Sequence, residues 1–253
     1  MKEFKKDNLT VKVFENRTLM GEAVATVVSE KINELLSKQE FVNIIFGAAP
    51  SQNDFFSALV QKNVAWNKIN AFHMDEYLNL DADAPQGFGN FLKAHLFTKV
   101  PFNSVNYING NATDYKTECV RYSDLLTQFP TDIVCLGIGE NTHLAFNDPH
   151  VADLNDPFLV KRVDLDEQCR NQQVNDGCFS NINQVPTHAL TLTLPALLKA
   201  PYAVCTVPTD KKAQAVYHTL VEGVSDKFPS THLRNHPNAT LFLDDQSSTK
   251  ITL

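Results

Sequence analysis

Glycine is scarce in this sequence, with 9 residues in a chain of 253, which is about half of the usual ~7%. Together with only 12 prolines, this excludes a collagen-like or low-complexity chain. A phosphate-binding protein built on glycine-rich loops would be expected to contain more glycine. Cysteine is sparse as well: the 5 cysteines include no C-x-x-C pair, so neither a disulfide framework nor a zinc cluster is indicated.

Long apolar runs and an excess of positive charge are also absent. No apolar stretch reaches the ~18 residues needed to span a membrane, and residues 1–10 are charged and lack the apolar core of a signal peptide. The net charge of −7 argues against general nucleic-acid binding but is compatible with a local basic pocket for a small anion. We therefore expect a cytoplasmic protein with neither membrane nor nucleic-acid partners.

Short apolar runs alternate with segments of helical periodicity along the chain. The predicted strands cover residues 42–46, 69–74, 133–137, 189–194, 202–207 and 239–243. The predicted helices cover residues 17–38, 89–99, 117–129 and 211–220, with one more opening at Ser51 and capped by Asp54. This alternation predicts a single α/β domain over residues 1–253, in which a mostly parallel, Rossmann-like sheet is covered by helices on both faces.

Polar clusters follow three of these strands, where ligands bind in parallel sheets. Residues 47–52 join a strand to a helix start and are either an anion site or an ordinary capped helix. Residues 73–77 carry the adjacent carboxylates Asp75 and Glu76. Because neighbouring strand residues point to opposite faces, at most one of the two faces a site, unless this is simply a solvated strand end.

The third cluster, residues 137–149, places His143 between Asn141 and Asp148. Histidine titrates near neutral pH and suits proton transfer, although a loop histidine making one hydrogen bond would look the same. Since all three clusters follow strand ends, we expect them to converge on one rim. His232 and His236 fit no zinc motif, so no metal is expected.

Taken together, these segments resemble the glucosamine-6-phosphate deaminase (isomerase) family, whose wider group also holds 6-phosphogluconolactonases. The resemblance extends from about residue 42 to residue 244. It rests on Phe72-His-Met-Asp-Glu-Tyr77, residues 136–149, residues 185–191 and Lys212-Ala-Gln-Ala-Val216 leading to Glu222-Gly223. The Asp-Glu-Tyr and Ala-Phe-Asn segments are similar to the deaminase branch, whereas the lactonase branch typically has Asp-Glu-Arg.

The resemblance implies conversion of a 2-amino-2-deoxyhexose 6-phosphate, glucosamine or galactosamine, to the ketose 6-phosphate and ammonia without a cofactor. Asp75 matches the base that moves a proton between carbons, and His143 matches the histidine that assists ring opening. Asn141 and Asp148 support that histidine. The residues assigned to substrate and phosphate binding are Gly47, Ala48, Ala49, Ser51, Glu76, Arg170 and Lys212.

The sequence departs from the family pattern at several of these positions. Asn141-Thr142-His143 stands where the family usually has Asp-Gly-His, and we expect Asn141 to accept a hydrogen bond from the imidazole without stabilising imidazolium by charge. Asp148 replaces a glutamate, which shortens its reach by ~1.5 Å. A family arginine aligns with Gly177, and Arg170 is the expected substitute.

Two other functions remain alternatives at this point. One is a 6-phosphogluconolactonase-like hydrolase, and the other is a non-catalytic sugar-phosphate-binding protein. The second is disfavoured because no DNA-binding helix-turn-helix precedes the fold and the chain is acidic. The resemblance also implies that the chain can form a homo-oligomer, although no segment of the sequence identifies an interface.

Overall fold

The computed structural model describes residues 1–252. In chain order, its strands are β1 (Lys2–Lys6), β2 (Leu9–Phe14), β3 (Val42–Phe46), β4 (Ile69–His73), β5 (Asp75–Tyr77), β6 (Ser104–Asn106), β7 (Ile133–Leu136), β8 (Val160–Asp164), β9 (His188–Leu192), β10 (Tyr202–Val207) and β11 (Ala239–Asp244). Its α-helices are α1 (Arg17–Leu36), α2 (Asn53–Leu59), α3 (Phe88–Leu92), α4 (Tyr115–Gln128), α5 (Glu167–Asn175), α6 (Leu194–Leu198) and α7 (Ala213–Val221). None of the described helices has the length and apolar character needed to cross a membrane.

Eight strands form the central sheet, in the order β1-β2-β11-β10-β7-β3-β4-β6. All neighbouring pairs are parallel except the β1–β2 hairpin at one edge. The remaining strands form a small antiparallel sheet in the order β5-β9-β8. Since β5 follows β4 after a single residue, the small sheet begins directly at the carboxyl edge of the large one.

Side chains of the central strands alternate between two apolar cores, one on each face of the sheet. In β3, Ile45 belongs to one core, whereas Ile44 and Phe46 belong to the other. The first core also contains buried residues of α4, α6 and α7, and the second contains those of α1 and α2. Because both faces are covered, the central strands are nearly continuous apolar runs. The result is a helix–sheet–helix sandwich of three layers.

The predicted fold class is confirmed: a mostly parallel sheet lies between two layers of helices. The predicted strands at residues 42–46, 69–74, 133–137, 202–207 and 239–243 correspond to β3, β4, β7, β10 and β11 of that sheet. The predicted helices at residues 17–38 and 117–129 correspond to α1 and α4. The loops that follow β3, β4 and β7 meet at one edge, as the sequence predicts, and the loop after β10 joins them there.

The strand predicted at residues 189–194 forms as β9, but its expected place in the parallel sheet is wrong. It pairs antiparallel with β5 and β8, and Asp75 lies opposite Thr191. An apolar run specifies a strand without specifying its partner, so the sequence pattern could not distinguish the two sheets. The pairing holds β5, and with it Asp75, in a fixed position beside the carboxyl ends of the central strands.

Candidate active site

A cavity of about 340 Å³ lies at the carboxyl ends of β3, β4, β7 and β10. Its walls come from the loops after these strands and from the start of α1. Among the predicted site residues, the cavity is lined by Gly47, Ala48, Ala49, Ser51, Asp75, His143 and Lys212. The structure therefore brings the three polar clusters together, and a cavity of this kind is the usual place for a ligand in a parallel sheet.

Asp75 is the first residue of β5 and lies in the wall of this cavity with its side chain buried. Burial raises the pKa of its carboxyl well above the usual range, and the negative charges of Glu76 and Asp148 raise it further, against the lowering effect of the Phe146 amide. A carboxylate with a raised pKa binds a proton more strongly. Asp75 is therefore suited to act as a general base once it is ionised.

Glu76 is not among the residues that line this cavity, and its role in substrate binding stays a prediction. Its Oε1 accepts the N–H groups of Tyr77 and Phe88 at 3.0 Å, and its Oε2 accepts the N–H of Gly89 at 2.8 Å. The carboxylate thus caps the amino end of α3, where orphan N–H groups need acceptors. The expectation that only one of the two adjacent carboxylates faces the site is met, with Asp75 as that residue.

His143 lies in the cavity wall with its ring packed against Gly139. A Cβ atom on Gly139 would lie 2.2 Å from the imidazole, so this position requires glycine. Nδ1 of His143 lies 2.9 Å from Oδ1 of Asp148, whose side chain is fully buried. This contact orients the ring and leaves Nε2 as the nitrogen that can exchange a proton with a ligand.

Asn141 supports this pair in a different way from the one predicted. Its Nδ2 donates to Oδ1 of Asp148 and to Oδ2 of Asp166, each at 3.0 Å, while its Oδ1 accepts the backbone N–H of His143. The expectation that Asn141 accepts a hydrogen bond from the imidazole is therefore wrong, because Asp148 occupies that place. The shorter aspartate therefore still reaches the ring, at 2.9 Å.

The pKa of Asp148 reflects two opposing effects. Burial alone would raise it, but hydrogen bonds and charge from His143, with further hydrogen bonds from Asn141 and the Asp166 amide, lower it below the usual range. The lowered pKa keeps the carboxyl of Asp148 ionised at neutral pH. Its negative charge stabilises an imidazolium beside it, which the neutral side chain of Asn141 cannot do.

Thr142 adopts an unusual backbone conformation next to this histidine. Its φ is +73°, in the left-handed region that disfavours β-branched side chains. Its hydroxyl is buried without a hydrogen-bond partner among residues 1–252. The glycine that the family resemblance places here would adopt this φ without strain.

The loop after β3 forms another part of the cavity wall. The N–H of Gly47 donates to the carbonyl of Cys135 at 2.8 Å, so this amide is not available to an anion. The N–H groups of Ala48 and Ala49 make no hydrogen bond within the described residues. A 3-10 turn, Pro50–Gln52, follows and places the hydroxyl of Ser51 in the wall.

The helix after this loop differs from the prediction. α2 begins at Asn53 rather than Ser51, and Asp54 makes no capping hydrogen bond. Its carboxylate instead lies 2.6 Å from Nη2 of Arg17 at the start of α1. Arg17 therefore balances the carboxylate charge of Asp54, which would otherwise repel an anion bound by this loop.

Lys212 lines the same cavity from a 3-10 turn, Asp210–Lys212, that precedes α7. Its side chain is 7% exposed, its Nζ has no hydrogen-bond partner among the described residues, and Oδ2 of Asp176 is 4.0 Å away. Burial lowers the pKa of this amine, an effect that the nearby carboxylates of Asp176 and Glu140 oppose. A buried ammonium that makes no hydrogen bond, and has its nearest carboxylate 4.0 Å away, is a strong position for a bound anion.

Arg170 is not among the residues that line the cavity, and its role in place of the family arginine stays a prediction. Its Nη2 donates to the carbonyl oxygens of Ile182 at 2.7 Å and Val185 at 2.9 Å, which holds the segment after α5. Gly177 has a φ of +77° and contributes no side chain. The arginine that does line the cavity is Arg17, which sequence reasoning missed because α1 is remote from every recognised motif.

A donor set for a metal ion exists beside the cavity. The ligand atoms of His143, Asp148 and Cys169 lie within 4.8 Å of one another. Because Nδ1 of His143 already lies against Asp148, a metal would have to displace this contact. The expected absence of a metal and of a cofactor stays a prediction.

The chain is similar to known proteins over most of its length. A family model described as glucosamine-6-phosphate isomerases/6-phosphogluconolactonase matches residues 15–242. A glucosamine-6-phosphate deaminase of Bacillus cereus is 31% identical over 226 residues, which cover 89% of this chain and 84% of that protein. The protein of the same name from an Exiguobacterium species is 32% identical over 226 residues, covering 89% and 85%.

Solved structures show the same architecture. A monomeric glucosamine-6-phosphate deaminase superimposes with a TM-score of 0.86 at 25% identity, covering 95% of this chain and 99% of the other. A 6-phosphogluconolactonase from Thermotoga maritima superimposes with a TM-score of 0.74 at 20% identity, covering 94% and 100%. The second similarity concerns the fold alone.

Proposed function

Because the chain belongs to the family of glucosamine-6-phosphate isomerases and 6-phosphogluconolactonases, we propose that it is an amino-sugar-phosphate deaminase. The reaction converts glucosamine or galactosamine 6-phosphate and water to the ketose 6-phosphate and ammonia. The observation that carries this proposal is the pairing, in one cavity, of the buried Asp75 with the ordered His143–Asp148 pair. One group is suited to moving a proton between carbons and the other to opening the ring.

Asp75 serves as the base for the isomerisation step. In the open-chain sugar, the proton on C2, next to the aldehyde at C1, must be removed and returned to C1. This transfer turns the amine on C2 into an imine, which water hydrolyses to the ketose and ammonia. A carboxylate in a water-poor wall can perform both transfers, because burial makes it a stronger base than an exposed aspartate. The same carboxyl then gives back the proton that it took.

His143 serves the ring-opening step. The cyclic sugar opens when the ring oxygen gains a proton and the hydroxyl on C1 loses one. With Nδ1 held against Asp148, Nε2 can carry the proton between them. The ionised Asp148 stabilises the imidazolium that forms during the transfer.

The 6-phosphate is bound by Lys212 and the loop after β3. Nζ of Lys212 supplies a buried positive charge, while Ser51 and the N–H groups of Ala48 and Ala49 supply hydrogen-bond donors. These donors recognise a phosphate oxygen whatever the configuration of the sugar. Glucosamine and galactosamine differ at C4, away from both the phosphate and C1, so this arrangement accommodates either substrate class.

Ammonia release by the purified protein tests the proposal. The panel contains glucosamine 6-phosphate, galactosamine 6-phosphate and unphosphorylated glucosamine, with Asp75→Asn as the inactive control. We expect release from at least one phosphorylated sugar, little from glucosamine, and none from the variant. Failure with both phosphates beside a working reference deaminase would refute the proposal, and hydrolysis of 6-phosphogluconolactone in a parallel assay would replace it with the lactonase alternative.

A further inference from the structure

Arg17 is the arginine of the cavity wall, and its main chain is fixed by helix packing. It is the first residue of α1, which begins after Asn16 caps the helix by accepting the N–H of Leu19. α1 packs closely on α2 at Gly21, where an added Cβ would lie 2.6 Å from the Cβ of Asp54. This close approach brings the amino end of α1 beside the loop after β3.

Two of the three guanidinium nitrogens of Arg17 are anchored. Nε donates to Oδ2 of Asp54 at 2.6 Å, and Nη2 donates to the carbonyl of Pro50 at 3.1 Å. Nη1 makes no hydrogen bond within residues 1–252, and the side chain is 38% exposed. Arg17 lines the cavity, and a guanidinium held by two of its nitrogens loses little side-chain entropy when an anion binds to the third.

The surrounding charges favour an anion at this place. Asp54 would repel a phosphate, but Arg17 balances its charge at 2.6 Å. Three cations line the cavity: Arg17, Lys211 and Lys212. Nζ of Lys211 donates to the carbonyl of Asn175, whereas Nζ of Lys212 makes no hydrogen bond within the described residues. Lys212 and Arg17 therefore both keep donors for an anion.

We propose that Arg17 binds the 6-phosphate of the substrate through Nη1, as the arginine of the phosphate site. The arginine expected near Gly177 is absent and Arg170 is bound elsewhere, so this charge comes from α1 instead. The identity of the sugar rests on the proposed function, but recognition of the phosphate does not. Arg17 thereby contributes to the specificity for phosphorylated over free sugars.

A purely structural role for Arg17 makes a different prediction. In that case Arg17 would only tie Asp54 to the backbone at Pro50, and breaking the pair from either side would have the same effect. If Arg17 is a phosphate ligand, Asp54→Asn removes a negative charge and keeps the guanidinium, whereas Arg17→Gln removes the donor itself. Comparison of these two variants separates the roles.

Calorimetric binding of inorganic phosphate and of glucosamine 6-phosphate is the test, with Arg162→Gln as a matched control. Arg162 is also half-exposed and weakly paired with a carboxylate, but it lies outside the cavity. We expect Arg17→Gln to weaken both ligands by about tenfold or more, the effect of one charged hydrogen bond. Asp54→Asn should bind phosphate at least as tightly as the unmodified protein, and Arg162→Gln should bind it equally well.

Three outcomes would overturn the proposal. These are undiminished binding by folded Arg17→Gln, an equal loss in Asp54→Asn, and failure of the unmodified protein to bind phosphate at all. Arg17-dependent phosphate binding without ammonia release from any hexosamine phosphate would leave the role of Arg17 intact and refute only the deaminase function. Circular dichroism of each variant verifies that it is folded.

Discussion

Two groups of side chains at the cavity are organised in opposite ways. We call the group around Asp75 and His143 the reaction end, and the group of Arg17 and Lys212 the phosphate end. At the reaction end, His143, Asp148 and Asn141 are already bound to one another, and the side chain of Asp148 is fully buried. At the phosphate end, Lys212 has no hydrogen-bond partner among the described residues, and Arg17 keeps one nitrogen free. The reaction end is therefore ordered before a ligand arrives, whereas the phosphate end keeps its charge for the ligand. Substitutions should lower kcat at the first end and raise KM at the second.

The largest effect is expected at Asp75. Asp75→Asn keeps the shape of the side chain but removes the base, so kcat should fall by about 10³-fold or more. Substrate binding, measured by calorimetry, should stay within a few-fold. The neighbouring Glu76→Gln variant is the comparison, because Glu76 caps α3 and its loss should lower thermal stability more than turnover. Equal loss of binding and turnover in Asp75→Asn would instead indicate a structural role.

The pH dependence follows from the same residue. Because burial raises the pKa of Asp75, the carboxylate needed for catalysis forms only at higher pH than for an exposed aspartate. Activity should therefore disappear as the pH falls through this raised pKa. The acid limb of the kcat/KM profile should lie above the range of an ordinary carboxyl, and a limb at an ordinary carboxyl pKa would contradict the assignment.

The next largest effect is expected at Asp148. Asp148→Asn removes the charge that stabilises imidazolium, and kcat should fall on the order of a hundredfold while the ring itself remains. The slowing should be greater for the cyclic sugar than for an open-chain analogue, since only the former needs His143 for ring opening. Equal slowing of both compounds would argue against a ring-opening role.

The stability of the protein in acid provides an independent measurement at Asp148. Its pKa is lowered in the folded state, so it stabilises the fold above its unfolded pKa, and this contribution disappears as the pH falls through the folded pKa. Asp148→Asn should therefore flatten the acid part of the unfolding curve. A curve as steep as that of the unmodified protein would show that Asp148 is not the group responsible.

The sequence predicted the reaction end better than the phosphate end, and the reason is physical. Asp75 and His143 lie in the segments that follow the apolar strands β4 and β7, so the order of elements alone brings them to one rim. The choice between Asp75 and Glu76 depends on the pairing of β5 with β9, which no local pattern reveals.

The phosphate end depends on contacts between remote segments. Arg170 is near the missing family arginine in sequence, but its guanidinium binds backbone carbonyls around residues 182–185. Arg17 reaches the cavity only because α1 and α2 pack closely at Gly21. Such a contact between helices is set by the shape of both surfaces, and periodicity in one sequence does not specify it.

A smaller effect, confined to binding, is expected at Lys212. Lys212→Gln removes one charged contact with the phosphate and should raise KM by about 10- to 100-fold, with a smaller change in kcat. Burial lowers the pKa of this amine, so phosphate affinity should also weaken as the pH rises through it. Lys211→Gln is the matched control, because Nζ of Lys211 is engaged by a backbone carbonyl. A loss in kcat larger than the change in KM would contradict the assignment of Lys212 to phosphate binding.

The smallest effect concerns the free energy of unfolding, which the conformation of Thr142 beside His143 should lower. Thr142 has a φ of +73° and a buried hydroxyl without a partner in the described chain, and each of these features costs about 1–3 kcal/mol. Thr142→Gly removes both, but it also removes buried methyl contacts and increases the freedom of the unfolded chain. The net result should be a gain of about 1 kcal/mol in the free energy of unfolding, measured with urea. Thr142→Ala removes the hydroxyl and keeps the Cβ at positive φ, so it should be less stable than Thr142→Gly. The reverse order would mean that the backbone at residue 142 carries no strain, and that the ordering of His143 imposes no cost on the fold.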